Sequence, residues 1–174
     1  MSGTLFLTYD DFFIGKCKAG NILCNNIKGF SLILFYSTQC GHCNILFPIF
    51  TSLTGTVGHC LFGLVNVSTN KKCIQLSKQT IAPITFVPYI VLYIEGVPFM
   101  RYNGPYVQDE IRRFVVEVAD KVNKNQKFTK EVNNNVKKTR NGHEIPSYTI
   151  GIPLYGDDND DYCEFALAYI NSKK

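Results

Sequence analysis

Two short stretches of the chain consist almost entirely of apolar and aromatic residues. They are FSLILFYS, residues 30–37, and CLFGLVNVS, residues 60–68, and such runs are typical of strands that are buried on both faces of a sheet. Between them, NILFPIFTSLTG (44–55) has its apolar residues on a helical stripe, which predicts a helix beginning near residue 40. Pro48 lies inside this helix and is expected to kink it.

The flanking segments complete an alternating order of elements. TLFLTY (4–9) predicts a strand, and DDFFIGKCK (10–18) a helix that Thr8 or Asp10 could cap. Residues 20–29 are interrupted by Gly and Asn, which indicates an irregular connection, and residues 70–79 predict a short helix.

The next stretch, FVPYIVLYIEGVPFMRYNG (86–104), predicts a hairpin that turns at Glu95 and Gly96. Residues 107–122 then predict an amphipathic helix. Its expected inward positions are Val107, Ile111, Phe114, Val115 and Val118. The order β-α-β-α-β-α-β-β-α predicts an α/β fold with a central mixed sheet flanked by helices on both faces.

The chain changes character after residue 122. Residues 123–145 are rich in Asn and Lys and predict a polar linker. Residues 146–174 form a C-terminal extension in which an acidic stretch leads into a short helix from about Tyr162. Its apolar residues predict that it packs on the core or on a partner, so we divide the chain into a domain at 1–122, the linker and the extension.

Length and charge exclude several classes of protein. The 174 residues suit one domain, and a net charge of +4 does not favour nucleic acid or an anionic membrane as the main partner. No apolar run is long enough to span a bilayer. The N-terminal residues lack the basic start and long apolar run of a signal peptide, so we expect a reducing, cytoplasmic environment.

The strongest chemical signal is the sequence CGHC, in which Gly41 and His42 separate Cys40 from Cys43. The pair follows a buried strand and opens a helix, where unpaired N–H groups and the helix dipole stabilise a thiolate. Protonated His42 would favour the thiolate further. The expected chemistry has two steps: Cys40 attacks a substrate disulfide, and Cys43 resolves the mixed disulfide.

The five other cysteines allow different interpretations. A CxxC pair also opens many zinc sites, for which His59 and Cys60 are the only compact second pair, but we favour no metal. Cys60 and Cys73 lie in apolar patterns that predict buried thiols. We do not expect a disulfide between Cys17 and Cys24, and we expect Cys163 to pack in the core.

These residues resemble the thioredoxin superfamily, and the CGHC motif most resembles the catalytic domains of protein disulfide isomerases. Pro48 lies eight residues after Cys40, where the family's active-site helix carries its kink proline. The resemblance covers about residues 4–122. It implies a thioredoxin-like fold and a cis Val87–Pro88 bond packed against the disulfide, with the Val87 backbone exposed to pair with a substrate strand. It also implies no cofactor beyond the Cys40–Cys43 dithiol.

The chain departs from the family pattern at three positions. Gln39 replaces the aromatic residue usual before the first cysteine, and Asn44 replaces a basic residue after the second. Leu34 stands where the family has a buried acid that relays protons to the second sulfur. The loss of this acid is expected to slow the deprotonation of Cys43.

Two functional hypotheses follow. The first is a thiol–disulfide oxidoreductase that acts on protein thiols or disulfides. The second is a structural or interaction protein that binds a partner through its thioredoxin-like body and C-terminal extension. The extension resembles those of thioredoxin-like proteins of large double-stranded DNA viruses, some of which are virion components. The intact CGHC, Pro48 and Pro88 favour the first hypothesis, and Leu34 and Gln39 favour the second.

Overall fold

A computed structural model describes residues 3–17, 20–132 and 151–153, with residues 124–132 and 151–153 described by their backbone only. Three helices and eight strands occur in these ranges. The strands are β1 (Leu5–Leu7), β2 (Phe12–Cys17), β3 (Gly20–Asn25), β4 (Phe30–Tyr36), β5 (Cys60–Asn66), β6 (Tyr89–Ile94), β7 (Val97–Tyr102) and β8 (Gly151–Pro153). The helices are α1 (Gly41–Ser52), α2 (Lys71–Ser77) and α3 (Gln108–Val132).

Six of the strands form one mixed sheet in the order β1-β5-β4-β6-β7-β8. The pairs β1–β5 and β4–β5 are parallel, whereas β4–β6, β6–β7 and β7–β8 are antiparallel. The predicted buried strands, the hairpin and its turn at Glu95 and Gly96 are confirmed. Strand β4 lies inside the sheet, where β5 and β6 on its two sides fix the position at which it ends and the following turn begins.

Each face of the sheet has a hydrophobic core. Strand β4 contributes to both cores because its successive residues point to opposite faces. Leu32 and Leu34 join a core with α1 and α3, whereas Ile33 and Phe35 join a second core with α2, β2 and β3. The expected thioredoxin-like fold, a central mixed sheet flanked by helices, is thereby confirmed. Within the described part of the chain, no helix has the length and apolar character needed to cross a bilayer.

The predicted helix at 10–18 is wrong, as is the irregular connection at 20–29. A two-stranded antiparallel sheet, β2–β3, occupies both segments. The capping signal is used, because the Thr8 N–H donates to Asp11 Oδ2 at 2.7 Å, but it serves a single 3-10 turn at Tyr9–Asp11. Packing then favours strands, because the Phe12 ring packs at a tilt against the Phe35 ring, with 5.6 Å between the ring centroids. Tertiary contacts of this kind override weak local propensity.

The β2–β3 register also separates two cysteines. Cys17 pairs with Gly20, whereas Cys24 pairs with Phe13, four residues away along β2. Four residues of a strand span about 13 Å, far beyond the Cα–Cα distance of a disulfide. Cys17 and Cys24 therefore do not form a bridge in this register, as expected.

The last helix differs from its prediction at both ends. Val107 precedes α3 and is 49% exposed, so its expected inward position is wrong. The other four predicted inward residues are buried. The helix continues to Val132, ten residues beyond its predicted end, because Lys, Gln and Glu in this stretch are good helix formers even without an apolar stripe.

The C-terminal extension contributes the sheet edge. Strand β8 pairs with Met100–Tyr102 of β7. The expected short helix from Tyr162 and the packing of Cys163 lie outside the described residues, and the division of the chain at residues 122 and 145 stays a prediction.

Replacing Phe114 by Ala is expected to destabilise the fold by about 3–5 kcal/mol, because the ring is fully buried against Tyr102 between α3 and the sheet. Urea denaturation measures this change. Val116→Ala is the matched control: Val116 lies on the same helix and is 40% exposed, so its effect should stay within about 0.5 kcal/mol. Equal losses in the two variants would contradict the assigned helix face.

Candidate active site around Cys40 and Cys43

Cys40 is the N-cap residue of α1. Its backbone is extended, its Sγ accepts the Cys43 N–H at 3.3 Å, and its carbonyl accepts the Asn44 N–H at 3.1 Å. A sulfur thus takes the position in which a serine or aspartate oxygen usually caps a helix. Negative charge on this sulfur would face the unpaired N–H groups and the positive end of the α1 dipole.

The two sulfurs differ in access. Cys40 is partly exposed, whereas Cys43 is only 1% exposed, on the face of α1 that packs into the molecule. Both are thiols in this structure. A disulfide outside the protein can therefore reach Cys40 before it can reach Cys43.

Val87 and Pro88 lie against the accessible sulfur. The Val87–Pro88 peptide bond is cis, and the Val87 carbonyl oxygen lies 3.7 Å from Cys40 Sγ, within range for a weak hydrogen bond from the thiol. Pro88 is buried and leads directly into β6. Two segments 47 residues apart in the sequence therefore meet at one sulfur.

The pKa of the Cys43 thiol is raised to about 11, and burial is the largest cause. A hydrogen bond with the Cys40 side chain and the nearby Cys40 charge also act to raise this pKa, whereas a backbone hydrogen bond from Ser37 acts to lower it. No carboxylate is among these causes. Leu34 is fully buried between Leu64 and Ile90 of the neighbouring strands, so an alkyl side chain fills this core position.

The other predicted site residues surround the pair at the surface. Gly41 and His42 are exposed at the start of α1, and Gln39, which precedes Cys40, and Asn44, which follows Cys43, are exposed as well. A Cβ atom built on Gly41 would meet nothing within 4 Å, so this position has open space around it.

The structure adds Ser37, Ser68 and Tyr106, which the sequence analysis did not identify. Ser37 and Ser68 are joined through their hydroxyls at 2.7 Å. The pKa of Tyr106 is raised, chiefly by burial and also by the charges of Cys43 and Cys40. For Ser37, the only available sequence signal is a hydroxyl residue between a buried strand and the CxxC pair. Ser68 and Tyr106 lie far from the pair in the sequence, so no local pattern points to them.

A zinc site that joins Cys40 and Cys43 to His59 and Cys60 does not fit the sheet. Cys60 pairs with Phe30 at the start of β4, whereas Cys40 follows the other end of that seven-residue strand. The two pairs are therefore about 20 Å apart, whereas zinc ligands must converge to about 2.3 Å from one ion. In the described ranges, no three His, Cys, Asp or Glu residues cluster in a way that could hold a metal ion.

Known proteins resemble this chain over most of the fold. The family model described as thioredoxin matches residues 21–117, more than half of the chain. Protein 196R of Invertebrate iridescent virus 6 is 42% identical over 128 residues, which cover 70% of this chain and 74% of that protein. Protein 020R of Invertebrate iridescent virus 3 is 27% identical over 155 residues, covering 87% and 88% respectively.

Two solved structures that match part of this chain are human ERp44 and a crystal structure of ERdj5. The ERp44 match has a TM-score of 0.48 at 18% identity and covers 53% of this chain and 28% of that one. The ERdj5 match has a TM-score of 0.49 at 15% identity and covers 68% and 14%.

The pKa of Cys43 predicts how the second step of a dithiol reaction depends on pH. In such a reaction, reduced protein would release one coloured thiolate from a chromogenic aromatic disulfide when Cys40 attacks, and a second when Cys43 displaces the mixed disulfide. The reactive form of Cys43 is its thiolate, so a raised pKa leaves little of it at neutral pH. The second phase should accelerate roughly tenfold per pH unit between about pH 7 and about pH 9.

Stopped-flow absorbance measures this dependence. The background carries Cys17→Ser and Cys163→Ser, because Cys17 is partly exposed and Cys163 lies outside the described residues. A second phase that reaches a plateau well below pH 9 would show that burial does not hold the Cys43 proton.

Proposed function

This chain belongs to the thioredoxin family, and on that premise we propose that it is a thiol–disulfide oxidoreductase acting on protein cysteines. One observation carries the proposal. The partly exposed Cys40 sulfur caps a helix, 3.3 Å from the Cys43 N–H and 3.7 Å from the Val87 carbonyl, while the second sulfur lies buried on the same helix turn. This arrangement suits a reaction in which Cys40 is the accessible nucleophile and Cys43 is a second thiol shielded from solvent.

In the first step, the Cys40 thiolate attacks one sulfur of a client disulfide. The Cys40–client S–S bond forms, the client S–S bond breaks, and its electron pair leaves with the other client sulfur, which takes a proton from water. The unpaired N–H groups at the start of α1 stabilise the attacking thiolate. The open space around Gly41 allows a client chain to approach.

In the second step, Cys43 gives its proton to water and attacks the Cys40 sulfur. The Cys40–Cys43 bond forms, the Cys40–client bond breaks, and the second client sulfur leaves as a thiolate. The client disulfide has then gained two electrons, and the dithiol of the protein has lost two. The reverse sequence oxidises a client dithiol, so the same residues serve either direction according to the redox potential of the surroundings.

The client is a polypeptide in an extended conformation. The Val87 backbone lies beside Cys40 and is available to pair with a client strand, which would align a client cysteine with the sulfur. No cofactor takes part, because the Cys40–Cys43 dithiol itself carries both electrons.

Replacing the resolving residue should trap the client. Cys43→Ser is expected to form a long-lived mixed disulfide between Cys40 and a disulfide-bonded test protein such as insulin, because no second thiol displaces it. Non-reducing gel electrophoresis measures the adduct, and dithiothreitol should release it. Wild-type protein should instead reduce insulin repeatedly when dithiothreitol restores its dithiol.

Cys40→Ser is the matched control. Both variants carry Cys17→Ser and Cys163→Ser, so the thiol left at the pair is Cys43, which is 1% exposed, and adduct formation should fall by at least about tenfold. Equal adduct in the two variants, or no adduct in either together with no insulin reduction by the wild type, would overturn the proposed activity.

The second candidate function is an interaction protein, associated with a virus particle, that binds its partner through the thioredoxin-like body and C-terminal extension. Two observations favour it: Leu34 leaves an apolar core beneath the cysteine pair, and β8 of the extension builds the sheet edge beside β7. The similar proteins of two iridescent viruses support a viral setting. Under this function, a Cys40→Ser, Cys43→Ser double variant would retain partner binding, whereas an oxidoreductase would lose its clients.

A further inference from the structure

The residue that precedes Val87 carries a large and exposed aromatic side chain. Phe86 is 50% exposed, and the Val87 carbonyl oxygen that follows it lies 3.7 Å from Cys40 Sγ. An apolar ring at this place gains free energy when a bound polypeptide covers it. Phe86 therefore lies next to the backbone that the proposed function assigns to the client.

Two side chains of the sheet hold the Phe86 ring. The Tyr89 ring packs edge-on against it, with 5.3 Å between the ring centroids. The Arg101 guanidinium lies over both rings, 5.1 Å from the Phe86 centroid and 5.6 Å from the Tyr89 centroid. Tyr89 begins β6 and Arg101 lies on β7, which pairs with β6, so the sheet fixes both positions. A cation is thereby held beside the exposed ring.

The charge of Arg101 has no carboxylate partner in the part of the chain that the structure describes. Arg101 is partly exposed, and the ion pairs found in that part are made by other side chains. A guanidinium that stacks on aromatic rings keeps the N–H groups at its edge free, and their planar fork matches a carboxylate. Because the rings already restrict the guanidinium, less conformational entropy is lost when a carboxylate binds.

We propose that Arg101 is a specificity-determining residue, which binds a carboxylate of the client polypeptide close to the client cysteine while the client covers the Phe86 ring. The inference rests on the proposed oxidoreductase function and deepens it, because it names the clients as cysteines in acidic segments. The net charge of +4 also favours the approach of such segments.

The dimensions of paired strands allow this contact. A client strand that pairs with the Val87 backbone lies about 4.8 Å from it, and its successive residues are about 3.3 Å apart. A residue one or two positions from the client cysteine is therefore close to Phe86. An Asp or Glu side chain at such a position can reach the Arg101 guanidinium, which lies 5.1 Å from the centroid of that ring.

The experiment measures the attack of Cys40 on two peptides. Each has one cysteine, in a disulfide with a chromogenic aromatic thiol, and carries either Glu or Gln within two residues on both sides. The Cys40–peptide S–S bond forms, the bond to the aromatic sulfur breaks, and the coloured thiolate leaves with the electron pair. The protein carries Cys43→Ser, Cys17→Ser and Cys163→Ser, so only this step is observed.

Stopped-flow absorbance gives the second-order rate constant for each peptide. Each value is divided by the rate constant of 2-mercaptoethanol with the same peptide, which removes the intrinsic effect of Glu on the disulfide. At about 0.1 M salt, the Glu peptide should react about threefold faster than the Gln peptide, as expected for an exposed ion pair. Arg101→Gln should reduce this ratio to about one. A purely structural role of Arg101 would instead slow both peptides in the same proportion.

Lys28→Gln is the matched control. It removes the same charge from an exposed residue that precedes β4, whereas Cys40 follows the other end of this seven-residue strand. The two positions are about 20 Å apart, about twice the screening length, so the ratio should stay near threefold. If Arg101→Gln fails to fold, Phe86→Leu decides in its place: it removes one aromatic face at a half-exposed position and should lower the ratio below about twofold.

Three outcomes would overturn the inference alone. They are a ratio of about one before any substitution at Arg101, a ratio that Arg101→Gln or its replacement leaves unchanged, and a ratio that Lys28→Gln lowers equally. Absence of a Cys40 adduct with both peptides would remove the proposed function and this inference together.

Discussion

The contact on which the candidate active site depends is the hydrogen bond from the Cys43 N–H to the Cys40 sulfur. This bond makes Cys40 the N-cap of α1, so the Cys40 sulfur lies at the positive end of the helix dipole. The position of Cys40 depends on β4, which precedes α1 and lies inside the sheet between β5 and β6. An interior strand has little freedom to shift, since both neighbours fix its register.

Leu34 shows how stability and chemistry compete at this site. A buried Leu side chain contributes about 2 kcal/mol through its apolar surface, whereas an unpaired buried carboxylate costs several kcal/mol. Leu at position 34 therefore gives a more stable core beneath the cysteine pair than an unpaired carboxylate at the same position would give. The apolar core affects Cys43, because burial raises the pKa of its thiol and no carboxylate is among the groups that change this pKa.

Several features could be read from local patterns because their cause is local. The apolar runs of β4 and β5, the helix that begins after Cys40 and the turn at Glu95 and Gly96 reflect burial and backbone preferences within a few residues. The β2–β3 hairpin could not be read in this way. Residues Phe12–Cys17 carry apolar side chains at consecutive positions that suit a helix or a strand, and only contact with Phe35 and the β3 residues distinguishes the two.

The sequence by itself determined the chemical groups of the candidate site: two thiols separated by two residues at the start of a helix, after a buried strand, with prolines at 48 and 88. Spacing and helix geometry suffice for this, because they act over one helical turn. Only the tertiary structure decided which sulfur is exposed, that Val87 lies beside it, and that Ser37 is tied to Ser68. These contacts join residues 31 and 47 positions apart, and their distances depend on how the strands are ordered in the sheet, which no local pattern encodes.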